Sequence, residues 1–257
     1  MLTSAKNPRL QNIRIAAASG RPTPEGLIVA EGPHLFAEAL GGGWHIEKVF
    51  ATAAARDRYS QLLSKVDAEI VELSPRAFAH TASTDTAQEV MALLRPSTWS
   101  WQDLFPTAAL LVVLDNIQDP GNAGTIVRSA EAFGATGLVF LKGSSRVANG
   151  KFLRATAGSI FRLPFLEVVE ATELKQQARL HGINLFALAI RGSATLDDVD
   201  VRSSCALIVG NEGAGVSDEL LGGAQVVSIP TGQVESLNAA VACSIALFEV
   251  HRLRTVH

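Results

Sequence analysis

Residues 109–141 read ALLVVLDNIQDPGNAGTIVRSAEAFGATGLVFL, and the changes of pattern along them decide the fold. Ala109–Leu114 is apolar without interruption, as a strand covered on both faces of a sheet must be. From Ala123 to Phe133 the period changes. Ile126, Val127, Ala130 and Phe133 fall on one side of a helix, and Gly134 supplies its end. Gly137–Leu141 is apolar throughout again. Strand, helix and strand in that order put both strands in a mostly parallel sheet with helices over its faces.

Towards the C-terminus the same alternation continues. The pattern predicts helices over 151–160 and 172–181, the second ended by Gly182, and strands over Ile183–Ile190, Cys205–Val209 and Val226–Ile229. A long final helix is expected from Ser236 to about Arg254. Towards the N-terminus, residues 95–107 carry two prolines and two tryptophans and hold no period, which marks a boundary. Ahead of it, helices are expected over Asn7–Ala18, Pro33–Leu40, Arg56–Val66 and from Pro75. Strands are expected over Gly26–Ala30, Ile46–Ala51, Glu69–Leu73 and Gln88–Leu94. The division is therefore a small α/β domain at 1–95, a linker at 96–107 and a larger α/β domain at 108–257.

Composition narrows the class. The 257 residues are 47% hydrophobic and 18% charged, enough to bury a core and too apolar for a disordered chain. No apolar run reaches about 18 residues, and Met1–Gly20 lacks the apolar region of a signal peptide. A cytoplasmic protein with no membrane contact is the expectation. Cys205 and Cys243 each lie in an apolar run, as small buried side chains rather than metal ligands or a disulfide pair. The six histidines show no ligand spacing, and no metal site is expected. The net charge of −3 conceals two basic windows. Residues 1–24 carry Lys6, Arg9, Arg14 and Arg21 and no acid; residues 132–166 carry Lys142, Arg146, Lys151, Arg154 and Arg162 and no acid. Either window can be solvated surface, or both can form a face for RNA phosphates, with Arg9, Lys142, Arg146 and Arg154 as the candidate contacts.

Three strand ends are rich in glycine and polar groups, where open parallel sheets bind ligands. The first, residues 115–128, holds a Pro120-Gly121 turn, Asn122 as a possible helix cap, and Arg128 one to two turns into the helix. The second, 209–217, places Gly210, Gly213 and Gly215 around Glu212. That spacing is neither the dinucleotide fingerprint nor a phosphate-binding P-loop. The third, 229–238, runs into the last helix, with Ser236 and Asn238 as caps or as ligand groups beside the helix N-terminus. Singly, each loop has a plain structural reading.

Together they resemble the SpoU/TrmH family of RNA 2′-O-methyltransferases, of the SPOUT class. The matches are N-x-G-x-x-x-R at 122–128, G-N-E-G-x-G at 210–215 and I-P-x-G-x-V-E-S-L-N at 229–238, in the family's order. Segments 6–9, 31–34 and 84–88 resemble the substrate-binding domain that often precedes this catalytic domain, and 151–164 resembles another shared segment. The chain departs from the family's usual residues at Ala87, Glu89, Leu188 and Ala239, none of them a polar catalytic position.

The resemblance implies an L30e-like RNA-binding domain followed by a catalytic domain with a deep trefoil knot, and a homodimer. It implies S-adenosyl-L-methionine as methyl donor, held near Leu188, Gly210, Gly213, Ile229 and Leu237. Asn122, Arg128, Glu212, Ser236 and Asn238 would form the catalytic group. Arg128 would act as base, or would stabilise the developing alkoxide or fix the target phosphate, since a guanidinium is a poor base in general. Glu212 would orient Arg128 or balance its charge. Ribosomal RNA is the favoured substrate; the alternatives are transfer RNA, or an RNA-binding assembly factor that has lost turnover.

Overall fold

The structure is a computed structural model and describes residues 7–84, 88–192, 194–232, 234 and 236–255. Lys6 of the basic N-terminal window, Asp85–Ala87, and Gln233 and Glu235 of the third motif lie outside the described residues. The chain divides into two compact units, one made of residues 1–98 with 146–162, the other of 99–145 with 163–257.

In the first unit, α1 (Pro8–Ser19), β1 (Ile28–Glu31), α2 (Pro33–Gly41), β2 (His45–Ala51), α3 (Ala53–Arg58), α4 (Ser60–Leu63), β3 (Glu69–Glu72), α5 (Pro75–Thr81) and β4 (Val90–Arg95) follow one another. The sheet has the order β1-β4-β2-β3. β4 is antiparallel to both neighbours, and β2 runs parallel to β3. Leu10, Ile13 and Ala16 of α1 pack with Phe50, Leu73, Phe78 and Met91 in one core. The single helix expected over 56–66 is two short ones, because Tyr59 at φ −108, ψ 23 leaves helical geometry between them.

The second unit begins with α6 (Trp101–Leu104), β5 (Leu110–Asp115), α7 (Pro120–Ala132) and β6 (Gly137–Leu141). After α8 (Gly150–Thr156), which packs with the first unit, come β7 (Phe165–Val169), α9 (Ala171–His181) and β8 (Asn184–Leu188). The chain ends with β9 (Cys205–Gly210), α10 (Asp218–Leu221), β10 (Gln225–Val227) and α11 (Ala239–Thr255). The sheet has the order β10-β8-β9-β5-β6-β7, with every pairing parallel. Its central strands are apolar throughout because both faces are covered. Leu111, Val113, Val139, Ala206 and Ile208 pack towards Leu104, Leu174 and Leu220 of α6, α9 and α10. α7 and α11 pack on each other, and α11 on β9. Arg254, near the end of α11, donates to the carbonyls of Ala108, Ala109, Val201 and Ser203.

Two differences from the sequence reading have local causes. β7 is a strand the apolar pattern does not reveal: it lies at the sheet edge and among the described residues pairs with β6 alone, its apolar pattern is broken by Glu167, and Val168 sits at φ 61 where the register shifts. The helix expected over 151–160 stops at Thr156, because Ala157 turns left-handed at φ 48 and a short 3-10 turn, Ser159–Phe161, follows.

The stretch 146–162, which lies within 108–257 along the chain, is built into the first unit. The Phe161 ring meets Trp44 edge-on at 5.0 Å, Arg162 pairs with Glu38 at 2.5 Å, and Asn149 packs on Gly20. Gly42 has no room for a side chain, since a Cβ would come 2.6 Å from the Phe161 carbonyl oxygen.

Candidate active site

Parallel register brings the three motifs together. Asp115 at the end of β5 is level with Gly210 at the end of β9, and Leu188 of β8 lies between Val209 and Val227. Loops of widely separated sequence therefore leave the sheet side by side.

The first loop is held by a cap that the sequence reading gave to a different residue. Asp119, not Asn122, caps α7: its Oδ1 accepts the Asn122 backbone N–H at 2.8 Å, with Pro120 in the first helical position. A carboxylate there satisfies a free helix donor and opposes the positive end of the helix dipole, worth about 1 kcal/mol. The consequence for the site is that the Asn122 amide is released from capping. Its Nδ2 donates to Glu212 Oε1 at 2.5 Å, and its Oδ1 accepts from Asn238 Nδ2 at 3.1 Å. Asn238 in turn caps α11, its Oδ1 accepting from Ala240 and Val241 N–H at 2.9 and 3.3 Å. Both readings of Asn238, as cap and as site residue, hold at once.

Glu212 thus orients Asn122 rather than Arg128. Arg128 is exposed and forms no hydrogen bond or ion pair with any of the described residues. It stands six residues beyond Asn122 on α7.

The second loop is stitched to the first from below. Asp115, 7% exposed, accepts the Ser217 N–H at 2.7 Å. Asn211 donates through Nδ2 to the Asn116 carbonyl at 3.1 Å while its Oδ1 gathers the Gly213 and Ala214 N–H groups at 2.9 and 3.1 Å. Asn211 and Asp115 were not singled out in the sequence. Asn211 sits inside the second motif and Asp115 at the start of the first loop, but their task is a contact across about a hundred residues of chain that no local pattern encodes.

The second and third loops, with the end of β8, surround a cavity of about 320 Å³. Leu188, Gly210, Gly213, Ile229 and Leu237 all line it, as do Glu212 and Ser236. Asn122 and Asn238 reach its rim through Glu212 and through the neighbour Leu237. Gly210 is pressed on the Gly215–Val216 backbone with no space for a side chain, so main-chain groups form that wall. Apolar walls, exposed main chain and a few polar groups suit a flat heterocycle joined to a polar tail.

The four residues selected for RNA differ in setting. Lys142, in the second unit, is paired with Glu170 at 3.0 Å. Arg9, in the first unit, lies near Glu25 and Glu69, whose carboxyls it helps to hold below the usual range after their hydrogen-bond partners. Arg146 and Arg154, also in the first unit, are exposed and have no acidic partner among the described residues. The window 132–166 was acid-free only along the chain, since Glu170 and Glu38 come to Lys142 and Arg162 in space. Both cysteines are buried, and burial pushes the Cys205 thiol up to about 11 and Cys243 up to about 12. Among the described residues no cluster of three or more His, Cys, Asp or Glu side chains is arranged to hold a metal ion. Nor is any helix of the described residues long and apolar enough to cross a membrane.

Comparison with known proteins points one way. Residues 109–248 match the SpoU rRNA Methylase family, and residues 15–92 match the MRM3-like substrate binding domain. The chain is 30% identical to the 23S rRNA (guanosine(2553)-2′-O)-methyltransferase RlmP of Bacillus subtilis, over 97% of this chain and 98% of that one. Among solved structures it is similar to the SpoU methyltransferase AviRb from Streptomyces viridochromogenes in complex with AdoMet, with a TM-score of 0.86, 27% identity and coverage of 97% and 98%. It is also similar to the AdoMet-bound rRNA methyltransferase from Sinorhizobium meliloti, with a TM-score of 0.85, 28% identity and coverage of 98% and 97%.

Proposed function

We propose, from the premise that this chain belongs to the SpoU rRNA methylase family, that it methylates a ribose 2′-hydroxyl of ribosomal RNA through the group Asn122, Arg128, Glu212, Ser236 and Asn238. The chain is an S-adenosylmethionine-dependent RNA methyltransferase. What carries the residue assignment is the linked set Glu212–Asn122–Asn238 on the rim of the cavity, with Arg128 left uncommitted.

When bound, S-adenosylmethionine supplies a sulfonium methyl that is already an electrophile, so no step is assigned to a metal ion. Leu188, Gly210, Gly213, Ile229 and Leu237 hold the cofactor in this reading. The protein must place the ribose oxygen in line and lower the cost of its ionisation. Glu212 fixes the polarity of the Asn122 amide, and Asn122 fixes that of Asn238. Two loops and the start of α11 are thereby locked in one arrangement around the reacting groups. Arg128, with no internal partner among the described residues, serves the substrate: its guanidinium steadies the developing alkoxide or the target phosphate. Ser236 offers a neutral hydroxyl from the cavity wall.

The first unit, with Arg9, Arg146 and Arg154, grips RNA in this reading, and the protein works in the cytoplasm. It does so as a homodimer. Val241, Ile245 and Phe248 are 47%, 40% and 51% exposed and form a stripe along α11, with Phe133 edge-on to Phe248 at 5.8 Å. A contiguous apolar stripe of this kind favours burial against a second copy. The knot belongs to the same reading. It rests on the match of residues 109–248 to the SpoU rRNA methylase family.

The test is methyl transfer from tritiated S-adenosylmethionine to unmodified ribosomal and transfer RNA, followed by nucleoside analysis. Label in a 2′-O-methylated nucleoside of ribosomal RNA is the expected result. Label in transfer RNA alone, or in a base, would overturn the assignment. Arg128→Ala should abolish most of the transfer, and Arg128→Lys should restore little, since an ammonium lacks the planar fork.

A further inference from the structure

We infer that Asn116 and Gln118 form a base-reading element beside the catalytic group, and that this amide pair selects which nucleotide is methylated; the inference rests on the RNA-methylation reading above. The loop 115–119 leaves β5 and ends at the cap of α7, three residues before Asn122. Almost every group in it has an internal task. Asp115 accepts the Ser217 N–H, the Asn116 carbonyl accepts from Asn211, the Ile117 carbonyl accepts the Ser145 N–H at 2.8 Å, and Asp119 caps α7. The Ile117 side chain is fully buried. The side-chain amides of Asn116 and Gln118 remain. Among the described residues they hydrogen-bond only to each other, Gln118 Nε2 donating to Asn116 Oδ1 at 3.1 Å.

One contact between two amides leaves a donor and an acceptor open on the pair, whichever way each amide is turned. Gln118 is exposed and Asn116 half-buried. Asn116 is the fixed member of the pair. Asn116 sits in the left-handed region at φ 56, a conformation that asparagine tolerates better than most residues. Gly143, at φ 98, comes against it so closely that a Cβ there would lie 2.7 Å from Asn116 Oδ1. Asn116 is thus fixed through its backbone and its amide oxygen, and it anchors the exposed Gln118 amide through their one hydrogen bond. Fixed donor and acceptor groups are what recognition of an unstacked base edge requires. Three residues separate Gln118 from Asn122, so the reader and the catalytic amide lie close along the chain.

The experiment uses the full-length protein and four versions of an RNA that it methylates, differing only in the base at the methylated position. The wild type should prefer one base. Gln118→Ala should lower kcat/KM on the preferred RNA by about tenfold or more and shrink the ratio between best and worst base by a similar factor. The KM for S-adenosylmethionine should stay unchanged. Gln118→Glu, which can only accept, should move preference towards bases that present an exocyclic amine. An equal loss on all four RNAs, unaltered selectivity, or a wild type indifferent to the base would overturn the inference while leaving the activity intact. A wild type that methylates no RNA would take down the activity reading as well.

Discussion

The Gly-rich motif 210–215 contains glycines that the sequence cannot rank, and the structure separates them. A Cβ on Gly210 would overlap the backbone of Gly215 and Val216, well inside the 3.0 Å that real Cβ atoms essentially never cross. A Cβ on Gly213 would meet only Asn211 Oδ1, at an ordinary 3.5 Å. For Gly210→Ala the neighbouring atoms are main chain and cannot swing aside, so the loop must retreat by roughly an ångström. Overpacking of this kind costs about 1–3 kcal/mol and sometimes more. The displaced segment is a wall of the cavity proposed to hold the cofactor and carries Glu212. If the whole cost falls on the bound state, S-adenosylmethionine affinity drops by about 5- to 150-fold; if it falls on the fold, the melting temperature drops by several degrees. Titration calorimetry and thermal unfolding, run on both variants, divide the two. Gly213→Ala should bind cofactor and unfold much as the wild type does. The reasoning fails if Gly210→Ala matches the wild type in both measurements, or if Gly213→Ala is damaged as severely.

Other outcomes follow from single contacts. Asn122→Asp replaces the donor facing Glu212 Oε1 with a second carboxylate. The turnover number should fall about tenfold or more, while Asn122→Ala should hurt without the repulsion; single-turnover methyl transfer compares them. Phe248→Asp together with Val241→Asp should yield a monomer in analytical ultracentrifugation, and a dimer that survives would remove α11 from the interface. Arg146→Ala with Arg154→Ala should weaken RNA binding and flatten its dependence on salt, whereas Lys142→Ala, already paired with Glu170, should change little; filter binding across a salt series reads both. With thiols raised to about 11 and 12, Cys205 and Cys243 should resist iodoacetamide at pH 8 in the folded protein, where the thiolate is a minor form, and react once it is unfolded.

What the sequence by itself determined is whatever a single segment encodes. Ala109–Leu114 must be a covered strand because nothing in it can face water, and 123–133 must be a helix because its apolar residues share one side. The three motifs were legible for the same reason, since each turn and cap is a property of a few neighbouring residues. That Leu188, Gly210, Gly213, Ile229 and Leu237 belong together was implied by the family resemblance, and they line one cavity because strand ends of a parallel sheet leave it side by side. Tertiary structure decided everything that depends on two distant segments meeting. The cap of α7 is local, Asp119 accepting from the third residue on, but it was tertiary structure that brought Glu212 and Asn238 to the Asn122 amide. It turned Glu212 towards an amide instead of Arg128, supplied acids to Lys142 and Arg162 from outside their own window, and built 146–162 into the first unit. The physical reason is range. Backbone conformation and burial are set by neighbours along the chain, whereas a hydrogen bond or ion pair is chosen by whichever group the folded sheet brings within about 3 Å.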